Sequence, residues 1–211
     1  MTEYDPACVR CPRLAEFLAA SRRQHPDYWC RPVAPFGDRA PRLLLVGLAP
    51  GLHGANRTGR PFTGDFAGIL LYETLHRLGL STLAQSKSAD DPLQLKGARI
   101  TNAVKCVPPQ NKPLPAEIRR CNAYLKFELA QLHSVQVVLA LGRVAHEAVL
   151  LALDLPRSKF SFSHGGEHAL PEGRVLLDSY HCSRYNTQTG RLTAPMFTRV
   201  MQRACALAGL P

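Results

Sequence analysis

Four stretches of this chain are apolar almost without interruption, and each is closed by proline, glycine or polar residues. The first runs from Arg42 through three leucines and a valine to Gly47, the pattern of a strand buried on both faces. Arg99 to Val104, Val135 to Leu141 and Arg174 to Leu177 read the same way. Between and after these stretches, apolar positions recur every three or four residues over Ala67 to Leu78, Ala116 to Leu132, Arg143 to Leu153 and Ala194 to Leu207, which predicts helices. Strands alternating with helices build a parallel sheet covered on both sides, so the expected fold is α/β. It is a three-layer α/β/α sandwich around a central four-stranded, mostly parallel sheet. Ahead of it, residues 1–40 carry a Cys-x-x-Cys, a helical pattern over Leu14 to Arg23 and the prolines Pro26, Pro32 and Pro35, followed by Pro41. This reads as an N-terminal arm docked on one domain spanning residues 1–211, since a chain of 211 residues buries one good core and is short for two.

Open parallel sheets bind ligands at the carboxyl ends of their strands. The segment after the first strand, Gly47 to Gly68, holds six glycines in 22 residues, a density that lets backbone approach a ligand closely. It has neither the Gly-Lys-Ser/Thr ending of a phosphate loop nor a GxGxxG opening a helix directly after the strand. Asp65 stands just before a predicted helix, where a lone Asp is ordinarily an N-cap, and Phe62 taken alone reads equally as core.

Charge narrows the partners. Lys and Arg number 26 against 16 Asp and Glu, a net charge of +10, which favours a polyanion such as a nucleic acid. Hydrophobic residues at 45% and charged residues at 20% match an ordinary globular protein and exclude a largely disordered one. No run reaches the roughly 18 apolar residues of a membrane span, and the start MTEYDPACVR lacks a signal peptide's basic opening and apolar core. A cytoplasmic protein without membrane contact is expected.

Seven cysteines in a reducing compartment suggest metal binding rather than a disulfide framework. Cys8 and Cys11 form a ligand pair, and Cys106 and Cys121 form a second one; four thiolates hold zinc or a [4Fe–4S] cluster, and spacing alone does not choose. Cys30, Cys182 and Cys205 read as buried small hydrophobes. Cys182 adjoins His181, but no oriented third partner supports a nucleophilic pair.

The stretch GLAPGLHGANRTGRPFTGD resembles the first motif of the uracil-DNA glycosylase superfamily, in the branch called family 5 or type b that occurs in bacteria and archaea. Thr101-Asn102-Ala-Val-Lys-Cys106-Val-Pro-Pro109 and His181-Cys-Ser-Arg-Tyr-Asn186 through Thr193 extend the resemblance over nearly the whole chain. The related iron–sulfur branch, family 4, has GEAPG where this chain has Leu48, so no carboxylate or amide stands at that place.

The resemblance implies a DNA repair glycosylase that hydrolyses the bond between uracil, and other deaminated bases, and deoxyribose. It implies catalytic roles for Asp65 and His181, and base recognition by Gly51, Phe62 and Asn102. Arg184, Asn186, Thr187 and Arg191 would lie on a loop that inserts into DNA. It also implies a [4Fe–4S] cluster on Cys8, Cys11, Cys106 and Cys121, in preference to zinc, in a protein acting as a monomer beside the nucleoid. Two alternatives accompany it: a glycosylase whose main substrate is hypoxanthine, xanthine or ethenocytosine, and a metal-stabilised DNA-binding module without catalysis.

Overall fold

A computed structural model describes residues 4–211; residues 1–3 of the expected arm lie outside them. The elements are α1 (Pro12–Gln24), β1 (Phe36–Gly37), β2 (Leu43–Gly47), α2 (Ala55–Thr58), α3 (Phe66–Arg77), β3 (Ala98–Asn102), α4 (Pro115–Gln131), β4 (Val137–Leu141), α5 (Arg143–Ala152), β5 (Glu167–Ala169), β6 (Val175–Ser179), α6 (Arg184–Gln188) and α7 (Ala194–Ala208). The sheet order is β1-β3-β2-β4-β6-β5.

The four expected strands are the parallel centre of this sheet, β3-β2-β4-β6, but the expectation of four strands is corrected to six. Two short antiparallel edge strands flank the centre, β1 on β3 and β5 on β6. With two and three residues respectively they are too short to show any period, and their pairing comes from their neighbours rather than from their own pattern. The edges are thereby closed by short strands that offer little template for a further chain.

Alternation along β2 divides the core. Leu43 and Leu45 face α3 and α7 and pack with Leu71, Leu75, Phe197 and Met201, whereas Leu44 and Val46 face α4 and α5 and pack with Leu125, Leu129, Ala148 and Val149. Both faces of the strand are buried, which is why it reads as continuous rather than alternating apolar sequence. Helix α1 adds a smaller cluster, with Leu14 and Leu18 against Val104, Val107 and Tyr124. The arm is thus docked through its own apolar stripe.

Helix starts are set by side chains. Asp65 caps α3 by accepting from the Gly68 amide, Ser183 caps α6 at Asn186, and Thr193 caps α7 at Met196. Two of these caps lie at the carboxyl ends of β2 and β6, so helix capping and placement of the site are the same local event. None of the described helices is long and apolar enough to cross a membrane.

Candidate functional site

β2 and β3 run in parallel register with Gly47 opposite Asn102, which brings both strand ends to one place. A Cβ on Gly47 would overlap Asn102 Oδ1 and stand 2.8 Å from the Phe62 ring, so the missing side chain is what lets these two groups meet. Phe62 is buried and held at a φ of 55°, a conformation that bulky residues rarely adopt. Gly68 permits it by packing directly under the Phe62 carbonyl. The Phe62 ring stacks against His181 with centroids 5.9 Å apart and planes 27° apart. Asn102 is 3% exposed, and among the described residues its Oδ1 has no hydrogen-bond partner. A buried orphan acceptor costs about 1–3 kcal/mol unless something arrives to satisfy it.

Asp65 closes the opposite side. Its Oδ1 accepts from the Gly68 amide at 2.9 Å, while Oδ2 turns toward the Gly51–Gly54 turn, lying 2.6 Å from where a Gly54 Cβ would stand. Burial raises its pKa above the ordinary carboxylate value, against the opposing pull of the Gly68 and Ala67 amides. The His181 side chain keeps an accessible edge but is so surrounded by protein that burial pushes its pKa down to about 4. It is a neutral imidazole near pH 7, with a single ring N–H to donate. An aromatic face, an unpaired carboxamide, a neutral imidazole and a partly desolvated carboxylate therefore share the carboxyl end of the sheet.

A family model for the uracil DNA glycosylase superfamily matches residues 34–205. The chain belongs to the uracil DNA glycosylase superfamily. It is 52% identical over 209 residues to a type-5 uracil-DNA glycosylase of Thermus thermophilus, covering 97% of this chain and 95% of that one. Against a type-5 uracil-DNA glycosylase of Pyrobaculum aerophilum it is 42% identical over 206 residues, with 96% and 89% covered. Similarity to a type-4 uracil-DNA glycosylase of Archaeoglobus fulgidus is more local, 33% identity over 124 residues covering 58% and 54%.

In this member of the superfamily two cavities flank the strand ends. One, of about 660 Å3, opens on Asp65 between Arg57, Lys87 and Arg184. The other, of about 390 Å3, opens on His181 and is bordered by Leu48, Phe162, Tyr180 and Arg191. Leu48, on which the chain departs from the related branch, contributes only apolar surface there.

The segment expected to be a DNA-inserting loop is in part helical, as α6, and its residues have distinct neighbours. Arg184 lies over the Phe66 ring at 5.6 Å, and Arg191 over the Tyr180 ring at 4.8 Å. Asn186 Nδ2 donates to the His181 carbonyl at 2.8 Å, so this side chain holds the imidazole's own backbone. The Thr187 hydroxyl donates back to the Ser183 and Arg184 carbonyls within its helix. Gly51 lies under Asp65 Oδ2, with 3.8 Å to where its Cβ would be. Tyr185, 70% exposed on α6, was not singled out by the sequence, and only its polar surroundings in a short segment hint at exposure.

The four expected cysteine ligands converge. Cys8 and Cys11 come from the arm, Cys106 follows β3 and Cys121 lies on α4; together they border one small cavity with Leu14, Val104 and Tyr124. Burial raises the thiol pKa of Cys121 to about 11 and raises that of Cys106 further, and the neighbouring thiolates add to the rise. Four thiols crowded in an apolar cavity are costly as bare anions, and a cationic centre would offset that repulsion.

A second ligand-like set escaped the sequence. His146 Nδ1 lies 2.8 Å from Asp178 Oδ1, His168 Nε2 lies 3.2 Å from Asp178 Oδ2, and His146 Nε2 lies 3.1 Å from the Phe160 carbonyl. Both ring nitrogens of His146 face acceptors, which requires a proton on each. Burial opposes that charge, but the Asp178 carboxylate outweighs it and raises the His146 pKa. Hydrogen bonding within the set satisfies it, and it clamps α5 and β5 to β6.

Proposed function

We propose that this chain hydrolyses the N-glycosidic bond of uracil in DNA and leaves an abasic site. The observation that carries the reading is the unpartnered Asn102 Oδ1 beside the Phe62 ring. A carboxamide offers an acceptor for the uracil N3–H and a donor for O4, which a carboxylate cannot do. The ring supplies a stacking face worth roughly 1–3 kcal/mol. DNA is the partner, and the work is done in the cytoplasm wherever chromosomal DNA is exposed.

A uracil in duplex must first be everted at a cost of about a few kcal/mol, least at a mismatch such as U opposite G. Bond cleavage then develops positive charge on the sugar and negative charge on the departing base. His181, neutral, donates its ring N–H to a uracil oxygen and stabilises the growing anion without first having to lose a proton. Asp65 is positioned through Oδ1 by its helix and accepts the proton of the attacking water through Oδ2, as the water oxygen bonds to C1′ and the C1′–N1 bond breaks. Its negative charge also faces the cationic sugar. Uracil leaves as the anion and is protonated by solvent. Arg184 and Arg191 attract backbone phosphate at the rims of the two cavities, with Thr187 and Asn186 shaping the turn between them.

Cys8, Cys11, Cys106 and Cys121 would hold a [4Fe–4S] cluster. When bound, it ties the arm to β3 and α4 as a structural crosslink, and hydrolysis itself asks no electron of it. Visible absorption and bound iron in anaerobically purified protein support this assignment, and a colourless protein carrying one zinc rejects it.

The deciding experiment is incubation with a duplex bearing one U opposite G, followed by alkali cleavage at abasic sites. Strand breakage confined to the U position is the expected result, and Asp65→Asn should slow it by orders of magnitude while the duplex is still bound. Binding without any abasic product would make the chain a DNA-binding module instead.

A further inference from the structure

Residues 25–35 form no helix or strand apart from the link into β1, yet part of this segment is built tightly onto the glycine-rich turn that carries the site. The Trp29 amide donates to the Arg57 carbonyl at 3.0 Å and the Cys30 amide to the Asn56 carbonyl at 3.1 Å. Tyr28 Oη lies 3.0 Å from His53 Nδ1, and the His25 ring stacks on Tyr28 with centroids 4.4 Å apart. Gly59 lets the indole settle against the turn, since a Cβ there would stand 3.0 Å from the Trp29 ring. Arg57 Nε donates to the His53 carbonyl, and its side chain borders the same cavity as Asp65 and Arg184. Hydrogen bonds and ring packing thus join the arm to the turn, whose Arg57 borders the Asp65 cavity.

The outer surface of this piece has one dominant charge. Arg22, Arg23, Arg31 and Arg57 are exposed, with Arg31 lying over the Trp29 ring at 5.6 Å, and Asp27 is the one acidic residue between positions 22 and 31. Positions 51–60 contain no acid at all. Trp29 is 38% exposed, which leaves indole surface among the guanidinium groups. Cations interleaved with aromatic surface make up the composition that tracks a nucleic-acid backbone.

We propose that this arm ridge is a second DNA-contact surface, taking the phosphates of the strand that runs on from the everted nucleotide, across the site mouth from α6. The inference rests on the glycosylase reading for its choice of partner. Its geometric content is separate: contact is made at a distance from the lesion and on one side only. Such a surface lengthens the footprint and aligns the duplex before eversion, without touching the reacting atoms.

The test uses the full-length protein and fluorescently labelled duplexes with a central 2′-fluoro-2′-deoxyuridine, whose electron-poor sugar resists cleavage. The duplexes are lengthened by one helical turn at a time on either side. Affinity is measured by anisotropy against NaCl concentration for the unaltered protein, for R23E/R31E and for a control, R77E/K96E. The control makes the same change in net charge at the end of α3 and the start of β3, at the opposite end of the sheet. Two lost phosphate contacts should reduce the slope of log K against log salt by about 1.8 for R23E/R31E. That loss should appear only once the duplex extends past a threshold length on one side, and the control should lack the threshold. The proposal is overturned if R23E/R31E and the control weaken binding alike, or if R23E/R31E loses affinity equally at every length. Excision of ordinary uracil is scored separately, so its absence would sink the glycosylase reading while the binding series still judges the ridge.

Discussion

Gly47→Ala adds one methyl group where two site residues leave no room. The backbone permits it, because Gly47 ends strand β2 opposite Asn102 of β3 and has no positive φ, so any effect is steric. The new Cβ would overlap Asn102 Oδ1 and press on Phe62 Cε2 and Cζ at 2.8 Å, and both neighbours are buried, at 3% and 6% exposure. Overpacking of this kind costs about 1–3 kcal/mol. In a chain of this size each kcal/mol lowers Tm by roughly 2–4 °C, which gives a fall of about 2–12 °C. Displacing catalytic geometry by about 1 Å costs on the order of 100-fold in rate. Excision of U from a U:G duplex should therefore fall about 100-fold at a temperature where the variant is still folded, with affinity for undamaged duplex unchanged. Gly190→Ala is the contrast: it sits at φ 72° with nothing within 4 Å of its Cβ, so it should lower Tm through backbone strain and leave the rate alone. Adding Asn102→Ala to Gly47→Ala removes one of the overlapping groups, so the two stability losses should sum to more than the double variant shows. A Gly47→Ala protein that melts and excises like the parent would mean that Asn102 and Phe62 do not meet over this strand.

Two histidines should bend the pH dependence of stability in opposite directions. Between about pH 6.5, the unfolded pKa, and His181's folded value of about 4, the unfolded chain binds a proton that the folded chain refuses, so stability falls on acidification through that window. His181→Gln should flatten this acid arm in thermal melts. His146 has a raised folded pKa, so its contribution is present below about pH 6.5 and lost as pH rises through the raised value; His146→Gln should flatten the alkaline arm. If the melting profiles keep both arms in these variants, the protonation states assigned here are wrong. Asn186→Ala removes the 2.8 Å bond to the His181 carbonyl, net worth about 1 kcal/mol, and should lower kcat about fivefold with KM for DNA unmoved. A raised KM with kcat intact would make Asn186 a DNA contact rather than a support for the imidazole.

The central strands and the long helices were legible because burial writes itself into sequence at those lengths. The predicted helix over Ala67 to Leu78 is α3 at Phe66–Arg77, and Arg143 to Leu153 is α5 at Arg143–Ala152. The edge strands Phe36–Gly37 and Glu167–Ala169 were not legible, because two or three residues cannot display a period. Helix α6 is five residues with no buried face, so its polar sequence reads as loop, and its Ser183 cap gave the only local signal. At the site, Asn102 ends β3 and His181 follows β6, where the strand-end rule looks, and Asp65 is the N-cap that a lone Asp suggests, with Oδ2 turned toward the Gly51–Gly54 turn. What composition could not supply was which side chains face one another. Asn186 is spent on the His181 backbone because α6 folds back over it, and His146 meets Asp178 across 32 positions only because α5 packs on β6. Partnerships made by tertiary pairing leave no mark on local spacing.

The most direct test asks whether the cradle recognises the base itself. Affinity of Asp65→Asn should be compared for a duplex carrying one U:G mismatch and for the same duplex carrying a C:A mismatch there, so that neither base is held by a Watson–Crick pair. A correctly matched carboxamide edge is worth about 1–3 kcal/mol of discrimination, so U should be preferred by about 5- to 150-fold, and Asn102→Ala in the same background should erase the preference. Equal affinity for the two duplexes, or a preference that survives Asn102→Ala, would contradict the account.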